Sequence, residues 1–153
     1  IHGGGRIGVM VKFDVTDEVA ANAEFKEAAK DVAMQIAALN VPFLSEDTVP
    51  ADRIATEKEI ITAQIKNDPK SASKPDAIIE KMAVGRLNKF FKENCLLDQE
   101  FVKDSSMSVS KYLETVSKKI GGDIKIVDFV RFEKGEGLEK KEDNFADEVA
   151  SMM

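Results

Sequence analysis

The sequence predicts an α+β fold: a small antiparallel sheet packed by helices, with a projecting antiparallel helical hairpin and a short C-terminal helix. Three observations carry that reading. Period-two alternation of apolar and polar residues runs through only two long stretches, residues 7–13 and 124–133. Helical spacings of three and four fill the segments between them. Two prolines, Pro69 and Pro75, bracket a turn between two helical segments of similar length, which folds them back on each other. Few strands that do not alternate strictly with helices belong to the α+β class.

In the first strand Ile7, Val9, Val11 and Phe13 alternate with Arg6, Gly8, Met10 and Lys12, the pattern of a half-buried strand. Ahead of it, Ile1-His2-Gly3-Gly4-Gly5-Arg6 reads as a turn, because three glycines allow backbone angles closed to other residues. That turn holds the only histidine of the chain and an arginine, so it reads as a contact surface. Gly3, Gly5 and Gly8 also satisfy G-x-G-x-x-G. The dinucleotide motif, however, must follow a strand and open a helix, since the pyrophosphate sits on the helix N-terminus. Here the glycines precede a strand, which excludes it.

After a turn at 14–17, a helix is expected to run to about Leu39, with Phe25, Ala29, Val32, Ile36 and Leu39 on one face. Pro42 stops it. A second helix should begin with Thr48 as cap and Pro50 in its first turn, and reach Asn67. Its stripe of Ile54, Ile61 and Ile65 is thin. The third helix, with Ser73 and Asp76 placed as a capping box, presents Ile79, Met82, Ala83, Leu87, Phe90 and Phe91 and ends near Asn94. Gly85 in its middle costs about 1 kcal/mol against alanine, which suits a close approach of two backbones.

Residues 95–104 are apolar but too short for a helix. A fourth helix starts at Ser108 as cap, shows Val109, Tyr112, Leu113, Val116 and Ile120, and stops at Gly121-Gly122. The second strand follows, its alternation breaking near Val127-Asp128 as at a bulge. After a turn at 135–137, residues 143–153 form an amphipathic helix with an aspartate cap and a stripe of Phe145, Val149 and Met152. The expected organisation is a core subdomain of residues 1–49 and 95–142, an inserted hairpin of 50–94, and the terminal helix of 143–153.

The composition excludes several classes of function. With 43% apolar and 33% charged residues the chain is globular rather than disordered. A net charge of −6 argues against a nucleic-acid partner, and no apolar run approaches the ~20 residues of a membrane span. The absence of a signal peptide and the single cysteine, Cys95, favour a cytoplasmic setting, or an organelle matrix. Cys95 is read either as a buried thiol or as a site of intermolecular disulfide formation. The first residue is Ile1, not methionine, so a piece of a longer protein is expected. One histidine and one cysteine, far apart in the chain, offer no lined-up nucleophile and base. Glu57, Glu59 and Glu80 lie among lysines and read as solvated helix faces rather than metal ligands. No cofactor and no metal are expected.

Five separated blocks carry a resemblance: His2-Gly3-Gly4-Gly5-Arg6-Ile7-Gly8-Val9; Glu80-Lys81-Met82 with Gly85-Arg86-Leu87 and Lys89-Phe90; 97–103; Arg131-Phe132-Glu133-Lys134-Gly135-Glu136-Gly137; and Phe145-Ala146-Asp147-Glu148-Val149. Their order and spread resemble the C-terminal core of elongation factor Ts. Two departures stand out. Glu100 occupies a position where the family has proline before the Phe-Val pair. The family's N-terminal module and the first half of its core, with a Thr-Asp-Phe wedge, have no counterpart here.

The resemblance implies an exchange factor that performs no covalent chemistry. Such a factor binds elongation factor Tu and speeds GDP release by stabilising the nucleotide-free form. The coupling is reciprocal: a tenfold weakening of GDP binding is a tenfold weakening of factor binding, about 1.4 kcal/mol. The resemblance places His2, Gly3 and Arg6, with Phe101, Val102 and Lys103, against the partner's third domain. Phe145 and Val149 match the module that docks on its nucleotide-binding domain. The hairpin, through Ile54, Ile61, Ile65, Ile79 and Met82, corresponds to the part used for self-association as a dimer.

Each site residue has a plainer reading beside the functional one. His2 is a mobile terminal residue, Arg6 a surface salt-bridge partner, Phe101 or Val102 a core side chain, and the stripe of Phe145 and Val149 one that packs back on the chain's own core. Without the wedge, exchange is expected to be weak. The alternative function is a self-associating structural module without exchange activity of its own.

Overall fold

A computed structural model describes residues 1–138; the expected terminal helix, with Phe145 and Val149, lies outside the described residues. The fold is α+β, as its sequence pattern predicts, with two two-stranded antiparallel sheets. Strand β1 (Ile7–Asp14) is followed by helices α1 (Asp17–Ala21), α2 (Ala23–Leu39), α3 (Ala51–Asn67) and α4 (Asp76–Asn94). Strands β2 (Glu100–Phe101) and β3 (Asp104–Ser108), helix α5 (Val109–Ile120) and strand β4 (Lys125–Glu133) complete the described chain.

β1 and β4, the first and last strands, pair from Ile7↔Glu133 to Asp14↔Lys125. The register slips between Lys12 and Phe13, whose partners are Asp128 and Ile126. Val127 is therefore the extra residue of a bulge, where the alternation breaks in the sequence. The inner face of this sheet meets α2 and α5. Val32, Ile36, Val41, Leu96, Phe101, Val109, Leu113 and Ile126 form the main core, with Val9, Val11, Phe13 and Phe129 packed against it. Phe13 meets Phe25 edge-on at 5.2 Å between ring centroids, a favoured aromatic geometry. The outer face is apolar where Met10 stands opposite Val130; Met10 is 71% exposed and Phe132 64%.

The helix expected over 17–39 is broken in two at Asn22. Asn22 is extended, and its side-chain oxygen accepts from the amides of Glu24 and Phe25, so it caps α2. Thr16 does the same for α1, accepting from Val19. Thr48 does not cap α3. It closes a 3-10 turn at Glu46–Thr48 in a reciprocal capping box with Ser45, and α3 starts after Pro50. α4 likewise starts after Pro75 with no side-chain cap, so Ser73 and Asp76 do not form a capping box. Ser108 caps α5 as expected, its hydroxyl accepting from the Lys111 amide. Gly121 ends that helix at φ 70°, a left-handed conformation that favours glycine.

The hairpin of α3 and α4 has a small core of its own. Ile61, Ile65, Ile79 and Ala83 are buried together, with Met82 and Leu87 against them. Its base joins the rest through Val49, Phe90, Phe91 and Cys95, with Ile54 and Phe43 alongside. Arg53 lies 5.1 Å from the Phe90 ring centroid and pairs with Glu57 at 2.8 Å. The main chain of 43–44 bonds Leu96 and Leu97, tying the base of the hairpin to the core. Cys95 is fully buried, and burial, then Asp98 and Glu46, pushes its thiol up to about 11, an inert thiol at neutral pH.

Gly85 is exposed, and among the described residues nothing lies near its missing Cβ, so the expected close approach of a second backbone is not found among them. Gly122 is the opposite case: an added Cβ would run into Val19 Cγ2, and valine is stiff at χ1. The two alanine substitutions should therefore differ in sign in thermal denaturation. Gly85→Ala should stabilise by about 0.5–1 kcal/mol through helix propensity, and Gly122→Ala should cost about 1–3 kcal/mol.

Candidate partner interface

The N-terminal turn is held at both ends. The His2 amide donates to the Ile7 carbonyl at 2.8 Å and the Ile7 amide returns a bond to His2 at 3.2 Å. His2 is thus bridged to the first strand residue, not a loose terminus, while its side chain is exposed. Gly3, Gly4 and Gly5 turn the chain at φ 63°, 66° and 88°, values that L side chains rarely adopt. Arg6 is exposed, and its carbonyl accepts from the Lys134 amide at 2.7 Å. Among the described residues its side chain makes no ion pair.

The segment of residues 95–104, featureless in the sequence, is a 3-10 turn at Leu96–Asp98 followed by a tight antiparallel hairpin. Phe101 pairs with Asp104, leaving Val102 and Lys103 at the tip. The two adjacent apolar residues separate as strand geometry requires. Phe101 is 4% exposed and stacks on Tyr112 at 4.2 Å between centroids, while Val102 is 51% exposed. Phe101 is thus a core residue that supports the tip from beneath, and Val102 and Lys103 face outward.

Two polar residues on the inner face of α2 hold this tip. Gln35 is fully buried. Its amide donates to Gln99 Oε1 at 3.2 Å and to the Glu100 carbonyl at 3.0 Å, and its oxygen accepts from the Val102 amide at 2.9 Å. Gln99 in turn donates to the Glu93 carbonyl at the end of α4, at 2.9 Å. Asp31, also buried, accepts from the Lys103 ammonium with Oδ1 and from the Tyr112 hydroxyl with Oδ2, the latter at 2.8 Å. Sequence reasoning missed Asp31 and Gln35. The signal was their four-residue spacing, each immediately before an apolar residue of the buried stripe, Val32 and Ile36.

The N-terminal turn is tied to the same helix by another route. Arg131, opposite Val9 in the sheet, is largely buried and donates to the Ala37 carbonyl at 3.4 Å and to Glu133 at 3.0 Å. Among the described residues its buried Nε has no partner. Glu133 faces Ile7, where the turn ends and β1 begins. The tip is thus bonded directly to α2 through Gln35, whereas the turn itself is bonded to Ile7 and Lys134 and reaches α2 only through the sheet and Arg131.

The proposed self-association residues are placed differently. Ile61, Ile65 and Ile79 are buried inside the hairpin, and Ile54 and Met82 are partly buried at its base and flank. Exposed apolar side chains on the hairpin are instead Ile60, Ile78 and Val84. Among the described residues no group of three or more His, Cys, Asp or Glu could hold a metal ion, and no helix is long and apolar enough to cross a membrane.

The family profile described as Elongation factor TS matches residues 1–136, and the chain belongs to the elongation factor Ts family. It is 53% identical to an elongation factor Ts of Clostridium kluyveri over 149 residues, 97% of this chain and 46% of that protein. An elongation factor Ts of Clostridium botulinum is 51% identical over 153 residues, 100% of this chain and 48% of the relative. The chain therefore spans about half the length of the curated relatives it matches.

The anchoring of the tip should depend on alkaline pH. Burial, and then the bond to Asp31, holds the Tyr112 hydroxyl well above its ordinary 10.0. The same carboxylate raises the Lys103 ammonium above its ordinary 10.5. Both folded values exceed the unfolded ones, so the stability these groups contribute is complete below about pH 10 and is lost as the pH rises through the folded values. Thermal melts should show an alkaline fall above about pH 10, and Tyr112→Phe should flatten part of it.

Proposed function

We propose that the chain is the elongation factor Tu-binding part of an elongation factor Ts and promotes GDP release during translation elongation. Family membership carries this reading, and the bonding of the exposed tip to α2 supports it. Exchange by differential contact requires surfaces that keep their shape while the partner changes. His2, Gly3 and Arg6 form one contact, and Val102 and Lys103 the other. Phe101 contributes from below by holding the tip. Phe145 and Val149 remain contact residues of this proposal. The reaction is binding coupled to nucleotide loss, with no bond made or broken by the factor.

Residues 1–49 and 95–142 act as the core in this reading, with 50–94 as an inserted hairpin. The setting is the cytoplasm or an organelle matrix, where the partner works. Exchange by this chain alone is weak, because no Thr-Asp-Phe wedge occurs in it. The second reading, self-association through the hairpin, has one observation in its favour. An open groove of about 1050 Å³ runs between α3 and α4, with Ala55, Ala63 and Ala83 along it and Lys58, Glu59, Lys66, Asp76 and Glu80 among its lining, a surface on which another helix can sit.

Release of a fluorescent GDP analogue from elongation factor Tu, as the chain is titrated in, tests the main reading. A concentration-dependent acceleration is expected, reduced about tenfold or more by Val102→Asp, which buries an unpaired charge at the contact. No acceleration, together with a partner-independent dimer in sedimentation, would instead favour the structural module.

A further inference from the structure

The buried carboxamide of Gln35 does something that an apolar side chain of equal volume cannot. It accepts from the Val102 amide and donates to the Glu100 carbonyl, two main-chain groups that flank Phe101 on one strand of a very short hairpin. β2 contains only two residues and its register with β3 is interrupted between Glu100 and Phe101. The ladder alone therefore supplies little to fix the tip. Gln35 takes the place of a neighbouring strand, presenting an acceptor and a donor to the edge of β2. Gln99 receives its remaining donor and passes the connection to the last turn of α4. One helical turn earlier, Asp31 binds the second tip residue through its ammonium group, and Tyr112, which stacks on Phe101, steadies that carboxylate.

Every polar atom in this set has a partner, and a satisfied buried network rigidifies what it holds. We propose that Gln35 is a positioning residue for partner binding: its buried carboxamide, supported by Asp31, fixes the backbone of residues 100–103 so that Val102 and Lys103 are presented in their bound shape. The inference rests on the reading of that tip as a contact with elongation factor Tu. Its physical content is preorganisation. A tip already ordered in the free chain loses less freedom on association than one that must be ordered by the partner.

Two measurements on the 153-residue chain test it. In the free protein, Gln35→Met should speed hydrogen exchange of the Val102 amide by about tenfold or more, while the α5 amides around Leu113 keep their protection. Unchanged exchange at Val102 would overturn the proposal. Affinity for nucleotide-free elongation factor Tu is then measured in a double-mutant cycle. Gln35→Met should weaken binding about tenfold in the parent chain and less than about twofold when Val102→Ala and Lys103→Ala have already removed the tip. Equal weakening in both backgrounds would assign Gln35 a general structural role and sink the positioning one.

If the two tip substitutions alone leave affinity unchanged, the contact reading fails and takes the proposal with it, a result distinct from either outcome above. Should Gln35→Met not fold, Asp31→Asn serves in the same cycle. It keeps the volume and an acceptor for Tyr112 while removing the ion pair to Lys103, and its effect should likewise vanish once the tip is gone.

Discussion

Helix α2 must be apolar enough to sit in the core and polar enough to satisfy main chain that no sheet completes. Val32 and Ile36 meet the sheet and α5, while Asp31 and Gln35 meet the hairpin of β2 and β3. Burying a carboxylate or a carboxamide without partners would cost several kcal/mol. Here the partners are fixed in number and direction, so α2, the tip and α5 can only assemble in one relative arrangement. Arg131 extends the same constraint to β4 by donating to the carbonyl of Ala37, one of the groups a helix leaves unsatisfied at its C-terminal end. Sheet and hairpin tip thus take their positions from one helix.

The long hairpin of α3 and α4 stands outside that constraint. Its apolar stripes face each other and close a separate cluster, and its attachment runs through Phe90, Phe91 and Cys95 at the base. It meets the α2 network at one point, where Gln99 donates to the Glu93 carbonyl in the last turn of α4, and the core at the main-chain bonds of Phe43 and Leu44. The exposed residues Ile60, Ile78 and Val84 belong to its outer surface and are independent of the tip.

What the sequence made legible followed from periodicity. The two long strands, the bulge at Val127, the Ser108 cap and the Gly121 stop are local signals, each set by a few neighbouring residues. The break at Asn22 was hidden because no glycine or proline stands between Asp17 and Leu39, and only the cap chemistry of an asparagine marks it. β2 and β3 were hidden for a different reason. A two-residue strand has no period to read, and what stabilises it lies 65 and 67 positions away in the chain, on Gln35. The fate of Phe101 and Val102 followed the alternation rule, but which of them points inward depended on Tyr112. The isoleucines of the hairpin were assigned to self-association by resemblance, whereas Ile61, Ile65 and Ile79 close on each other within the hairpin.

The extra residue at Val127 acts as a parity switch for everything beyond it. With it, Ile126, Phe129 and Arg131 all reach the helix side, and Val130 and Phe132 are left on the other. Were the bulge ironed out with Val127 kept in the ladder, strict alternation from Ile126 would move every later position to the opposite face. Phe132 would turn inward, and the guanidinium that closes the end of α2 would be thrown into solvent. Loss of Val127 itself would leave the faces as they are, because Ile126, Asp128 and Phe129 would then alternate plainly opposite Phe13, Lys12 and Val11. The bulge therefore decides which surface of the protein is greasy and which helix end is sealed.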